Sequence, residues 1–264
     1  MAEKLYTSTL NAGMGMFQET QILLDLWQPG MDTAELQRLA LASGQFPKMT
    51  ARRLKNFVME GFAAFYLRGT EPPALLLKRA VHTFTRQEIE QLLLIYISRV
   101  HVILADFIQA VYWTNYAAGR ETISFEEARS FVLRAVQDGQ TTTAWSESTI
   151  KRVGSYLTSY CADFGLLERA AKSTRRILAY RIEPRAAAIL AYDLHFSGHG
   201  DNAVLSHPDW GLFGLERLDV LEELKRLALR NLMLVQAAGG VTKISWRYET
   251  MEELLDVLTR TELQ

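Results

Sequence analysis

A single cysteine, Cys161, excludes an internal disulfide and any cysteine-rich zinc site. It falls in the helically spaced set Tyr156, Leu157, Tyr160, Cys161 and Phe164, the place of a small core residue rather than a nucleophile. Six prolines and 16 glycines in 264 residues are too few for a fibrous or disordered chain. An excess of one charge sign is also missing. The formal net charge is −1, so any attraction to nucleic acid must come from a local basic surface. No long apolar run is present. The most apolar stretch, Leu92 to Val111, is interrupted by Ser98, Arg99, His101, Asp106 and Gln109. Charges near the centre of a span are costly, so this stretch reads as a buried core helix, not a membrane segment. Met1 to Leu10 has no basic start followed by an apolar run, and the expectation is a cytoplasmic protein.

What the chain does have is hydrophobic residues, 48% of the total, enough for a sizeable core, arranged mostly with helical period. Helices are predicted from about Phe17 to Trp27, Asp32 to Ala42, Ala51 to Leu67, Ala74 to His82, Thr85 to Ile97 and Val100 to Tyr116. Asp32 with Glu35, and Thr85 with Glu88, have capping-box spacing, and Thr50 is a candidate cap. A boundary is expected at Ala118 to Thr122. Beyond it, Ser124 with Glu127 starts a helix to about Gln137, and Ser146 starts another that Gly165 closes after Phe164. Leu166 to Glu168 and Ile177 to Ile182, around a basic tip, predict a hairpin. Pro184 starts a helix to about Phe196. A polar loop follows over Ser197 to Gly211, then a helix from Gly214 to Leu229. A second hairpin around Gly239 and Gly240 precedes a last helix, Thr250 to Arg260. The expected fold is mainly α: a helical bundle over 1–119, a winged-helix-like segment over 120–183 and a helical region with a hairpin over 184–264. No internal repeat is visible.

Helix, turn, helix, hairpin over 124–182 is the winged-helix order, in which the second helix enters the major groove. Its first turns would present Glu147, Ser148, Lys151, Arg152 and Ser155; hydroxyls and cations suit base edges and phosphates. The wing carries Lys172, Arg175 and Arg176. Between 147 and 185 there are eight cations and four carboxylates, a local excess that phosphates reward through counterion release. Eight cations in such a stretch also suit an ordinary solvated surface, and winged helices also dock proteins. Lys48, Arg52, Arg53 and Lys55 form a second cluster at a helix start, where cations oppose the macrodipole. The helix pair 32–42 and 50–67 offers a further helix-turn-helix, or simply a solvated face.

Candidate chemistry is thinner. His195, His199, Asp201, His207 and Asp209 include metal-ligand types, and His195 and His199 have helical ligand spacing. Gly198 interrupts that helix, and Phe196 stands where a zincin glutamate would be. Gly13, Met14 and Gly15 lack phosphate-loop spacing. Asp106, inside an apolar helix, needs a partner, and Arg99 seven residues earlier is the candidate. Tyr112, Trp113 and Tyr116 read as core aromatics. No catalytic centre, cofactor or metal is expected.

Tyr6 to Leu10, Phe17 to Leu26, and the run Leu92 to Tyr112 with Arg99, Leu104 to Phe107 and Val111 resemble the BrxA-like proteins, components of BREX bacteriophage-defence systems. The resemblance implies a helical bundle like that of the antitermination factor NusB, a winged-helix part, affinity for double-stranded DNA, and a role beside other defence-system proteins. It carries over no catalytic residues. The family once bore an inner-membrane label, with which the charges in Leu92 to Val111 conflict. The resulting expectation is a non-enzymatic DNA-binding accessory protein. The rivals are a protein-interaction scaffold and, behind it, a metal-dependent hydrolase using His195, His199 and Asp201.

Overall fold

In a computed structural model the described residues are 5–10, 16–169, 173–239 and 241–260. The chain is mainly helical, with two short antiparallel strand pairs. It divides into two compact units, each discontinuous in sequence, where the linear reading expects three successive segments. One comprises Met1–Gln18 and Leu94–Tyr180; the other comprises Glu19–Leu93 and Arg181–Gln264.

The apolar run, most of it in the first unit, is not one rod. Arg86–Val100 ends at His101, and the helical stretch Val102–Ala117 leaves at 116°. The second stretch loosens to a π-helix over Ile108–Trp113. No single described helix is long and apolar enough to cross a membrane. Asp106 finds its partner in Tyr6, whose hydroxyl donates to it at 2.6 Å, instead of in the expected Arg99, which lies against the Tyr96 ring. Tyr112 is buried and donates to the Leu178 carbonyl at 2.5 Å, while Phe107 meets Phe131 edge to face. These contacts hold the bent stretch against Phe125–Gln137 and the chain before Tyr180.

The second unit is built around Pro184–Phe196. Nearly every residue from Arg185 to Leu194 is buried, as expected for a helix enclosed on all sides. The packing around it includes Arg217–Leu229 and Met251–Arg260. Met233–Ala238 pairs antiparallel with Val241–Trp246, so the second predicted hairpin is present. The Tyr192 hydroxyl donates to the Leu232 carbonyl at 2.5 Å and accepts from the Arg247 amide, tying hairpin to helix. The stretch read as a loop, 197–211, instead folds into Asp201–Leu205 and a 3-10 turn, Pro208–Phe213. Trp210 drives this: it is buried, and its indole N–H donates to the Val204 carbonyl at 2.8 Å.

Caps read from sequence are formed. Asp32 accepts from the Glu35 amide, Thr50 from Arg53 and Ser146 from Thr149; Thr85 with Glu88 and Ser124 with Glu127 are reciprocal boxes. Lys78 adds a cap invisible in sequence. Its ammonium donates to the carbonyls of Leu24, Asp25 and Trp27, the otherwise unmatched end of Phe17–Leu26.

Glu183 precedes the central helix. Burial and then the nearby Glu88 charge push its carboxyl above the usual range, with Arg181 acting in opposition. A raised folded-state value means the unfolded chain gives up the proton more readily. Stability is therefore greatest below the unfolded value and falls as pH rises through the folded one. Glu183→Gln is expected to raise the urea midpoint at neutral pH and to lose that advantage near pH ~4. A variant no more stable than the parent at neutral pH would remove this account of Glu183.

Candidate nucleic-acid interface

The segment singled out from sequence starts with the short strand Thr122–Ser124. Ser124 then caps Phe125–Gln137. Trp145 is buried at the end of the connecting loop, and Ser146 caps Glu147–Asp163. The two helices cross closely because Gly154 has no side chain. A Cβ there would stand 3.1 Å from the Arg129 backbone nitrogen. Ile150, Val153, Leu157, Tyr160 and Cys161 face inward. Burial pushes the Cys161 thiol far above its ordinary value, so it is packed and un-ionised.

After the second helix the strands depart from the expected hairpin. Thr174–Arg176 pairs antiparallel with Thr122–Ser124, the strand that opens the segment. On its other side the Glu168 amide donates to the Arg176 carbonyl, Leu167 bridges Ile177, and the Leu178 amide donates to Leu166. The returning strand thus pairs with Thr122–Ser124, and the chain just after it keeps a single bridge, Leu167 to Ile177, of the expected hairpin. The strand begins at Thr174, three residues before the Ile177 expected, and β pairing stops well short of Ile182. The signal missed was Thr122–Ser124, three residues too short to show alternation.

Ser148, Lys151, Arg152 and Ser155 are all exposed, at spacings of three and four that place them on one helical face. The Arg152 guanidinium lies 6.0 Å from the centre of the Tyr156 ring and donates weakly to the Ser8 carbonyl, 3.4 Å away. Glu147, at the start of the face, is neutralised by a residue that sequence reasoning passed over. Arg129, on the first helix, reaches it at 2.7 and 3.1 Å and Glu126 at 3.2 Å. The Arg129 guanidinium holds the Glu147 carboxyl below the usual carboxylate range. Eighteen residues separate Arg129 from Glu147, and only the helix crossing makes them neighbours.

Lys151 also lies 3.5 Å from the Glu147 carboxylate, and the other cations differ in availability. Arg176 is exposed, with Glu168 at 4.0 Å. Arg175 is half-buried and donates to the Glu168 carbonyl. Arg169 caps the second helix through the carbonyls of Ala162 and Asp163. Lys172 lies outside the described residues. Arg181 and Arg185 belong to the other unit, and Arg185 is buried against Glu88 at 3.3 Å. The charge excess counted over 147–185 is therefore overstated. Within 147–180 it is six cations against three carboxylates. Lys48, Arg52 and Arg53 are exposed in the second unit, before and within Ala51–Asn56.

The histidine-rich stretch is engaged elsewhere. His195 stacks on Trp246 at 4.3 Å, and burial lowers its pKa. The Asp201 carboxylate accepts from the Ile244 amide and the Trp246 indole, fastening the hairpin. His207 accepts from the Asp209 amide. Among the described residues no three His, Cys, Asp or Glu side chains converge as a metal site would require.

A mainly helical chain with two short antiparallel strand pairs is the structural class. Residues 4–193 match the BrxA family model, and the chain belongs to the BrxA family. No curated protein matches it. Its fold is similar to the crystal structure of an uncharacterized protein from Magnetospirillum magneticum, with a TM-score of 0.58 at 14% identity, over 72% of this chain and 94% of that one.

Proposed function

We propose that this protein is a non-enzymatic, double-stranded-DNA-binding component of a BREX-type phage-defence system. BrxA membership supports the defence role. DNA binding rests on one observation: the second crossed helix exposes Ser148, Lys151, Arg152 and Ser155 on one face. The preceding helix, strand, two crossed helices and strand-bounded wing follow the order of a winged helix. In such a domain the second crossed helix lies in the major groove and the wing touches the backbone. Lys151 and Arg152 then meet phosphates or guanine edges, and the serines adapt to either donors or acceptors. Arg129 contributes by cancelling Glu147, which otherwise repels phosphate.

The combined Lys151→Ala, Arg152→Ala and Arg176→Ala variant is expected to bind a 20-base-pair duplex about tenfold more weakly. The slope of log affinity on log salt should flatten by roughly 3, one for each phosphate left without its cation. Unchanged affinity and slope in a salt titration would remove this face from the proposal.

A protein-docking role has its own support in the second unit. Leu218, Leu229, Leu234 and Val241 are each more than half exposed, and all follow residue 193, where the family match ends.

A further inference from the structure

We propose that the helix pair Thr33–Ala42 and Ala51–Asn56, with the helical turns that continue to Tyr66, is a second duplex-DNA surface, separate from the first. The inference extends the DNA-binding reading above. Between residues 34 and 68 the chain carries Arg38, Lys48, Arg52, Arg53, Lys55 and Arg68 against only Glu35 and Glu60. Over the pair itself, 33–66, five cations stand against two carboxylates, an excess equal to the one over 147–180, and it sits in the other compact unit. All six cations are exposed. Among the described residues, Arg38, Lys48, Arg52, Lys55 and Arg68 make no ion pair or side-chain hydrogen bond, so their charge faces water uncompensated.

The arrangement does not serve the fold. Lys48 and Arg52 flank a helix N-terminus, where the macrodipole repels cations, and Thr50 alone supplies the cap. Leu54, Phe57, Val58, Gly61 and Phe62 bury the opposite side and anchor the second helix on the first, leaving Arg52, Lys55, Asn56 and Met59 outward at spacings of three and four. A cationic stripe near the start of the second helix of a connected pair is the footprint that a phosphate backbone neutralises. Asn56 adds a side chain able to pair with an adenine edge. With one surface in each unit, a protomer contacts two stretches of duplex.

The test uses the full chain and two differently labelled 20-base-pair duplexes, read by energy transfer between them and by stoichiometry. Wild type is expected to bring the labels together and to bind two duplexes per protomer. The Lys48→Ala, Arg52→Ala and Lys55→Ala variant should keep its circular dichroism, lose the transfer and bind one duplex, with a salt slope flatter by about 3. If it instead matches wild type while the Lys151, Arg152 and Arg176 variant is weakened, the second surface is overturned and the first stands. If the 48/52/55 variant alone loses binding, the second surface holds and the first falls. Absence of any duplex binding by wild type, or equal displacement of duplex by polyglutamate of matched charge, overturns both.

Discussion

Gly154→Leu is expected to destabilise the first unit by about 3 kcal/mol, near the upper end of overpacking costs. The reason lies in what the glycine faces. A Cβ at 154 meets the backbone nitrogen and Cα of Arg129 at 3.1 and 3.2 Å and the Ala128 carbonyl carbon at 3.4 Å. Those atoms belong to a helix backbone and cannot rotate aside as a side chain would. Leucine's branched Cγ and two Cδ atoms extend the clash, so Phe125–Gln137 and Glu147–Asp163 must separate. Separation weakens the packing of Val132 and Val153 and draws Glu147 away from Arg129, since that ion pair exists only while the helices touch. Alanine is the informative control. It gains about 1 kcal/mol of helix propensity over glycine while adding one methyl, so its net effect should be small. Urea unfolding of both variants measures this. Equal, near-zero shifts for alanine and leucine would show that the crossing is not set by Gly154.

The same crossing marks the limit of what the sequence reveals. Helix existence is legible because periodic burial and caps are local: Ser124 with Glu127 and Ser146 with Thr149 each lie within one turn. The exposed face of Ser148, Lys151, Arg152 and Ser155 follows from that periodicity alone. The long-range relations are not legible. Arg129 neutralises a carboxylate 18 positions later, and Thr122–Ser124 pairs with a strand about fifty residues on. Neither leaves a periodic trace. The cation count over 147–185 fails for a related reason. Arg185 counts as surface charge in a linear reading, since nothing nearby in sequence shows that Glu88, 97 residues earlier, receives it inside the second unit. Asp106 shows the converse. Its need for a partner is legible from its apolar neighbours, but the partner is Tyr6, a hundred residues away. Composition warns correctly that a chain of net charge −1 can present basic surface only in patches. Which cations are free depends on the carboxylates and carbonyls that folding brings to them.

Arg185→Met is expected to cost the second unit about 3 to 5 kcal/mol, the range for removing one partner of a buried ion pair. Arg185 and Glu88 are both buried, 8% and 6% exposed, and their side chains meet at 3.3 Å while the guanidinium lies 4.9 Å from the centre of the Phe84 ring. The pair itself adds modest net stability, because both charges lose their hydration on folding. Breaking it is far more costly, because methionine fills the space but leaves the Glu88 carboxylate buried near Glu183, a second acid. The Glu88 oxygen facing Arg185 also accepts from the Thr85 amide at 2.7 Å, so the carboxylate cannot swing out without uncapping Arg86–Val100. That double engagement predicts a specific rescue. Glu88→Gln in the Arg185→Met background keeps an acceptor for the Thr85 amide and removes the buried charge, and should recover more than half of the loss. Glu88→Gln alone should be destabilising, because it strands the guanidinium instead. A double-mutant cycle in urea, with the four proteins at one pH, reads the coupling directly. Additive single-variant effects would mean that Arg185 acts through packing on Phe84 and not through the charge of Glu88.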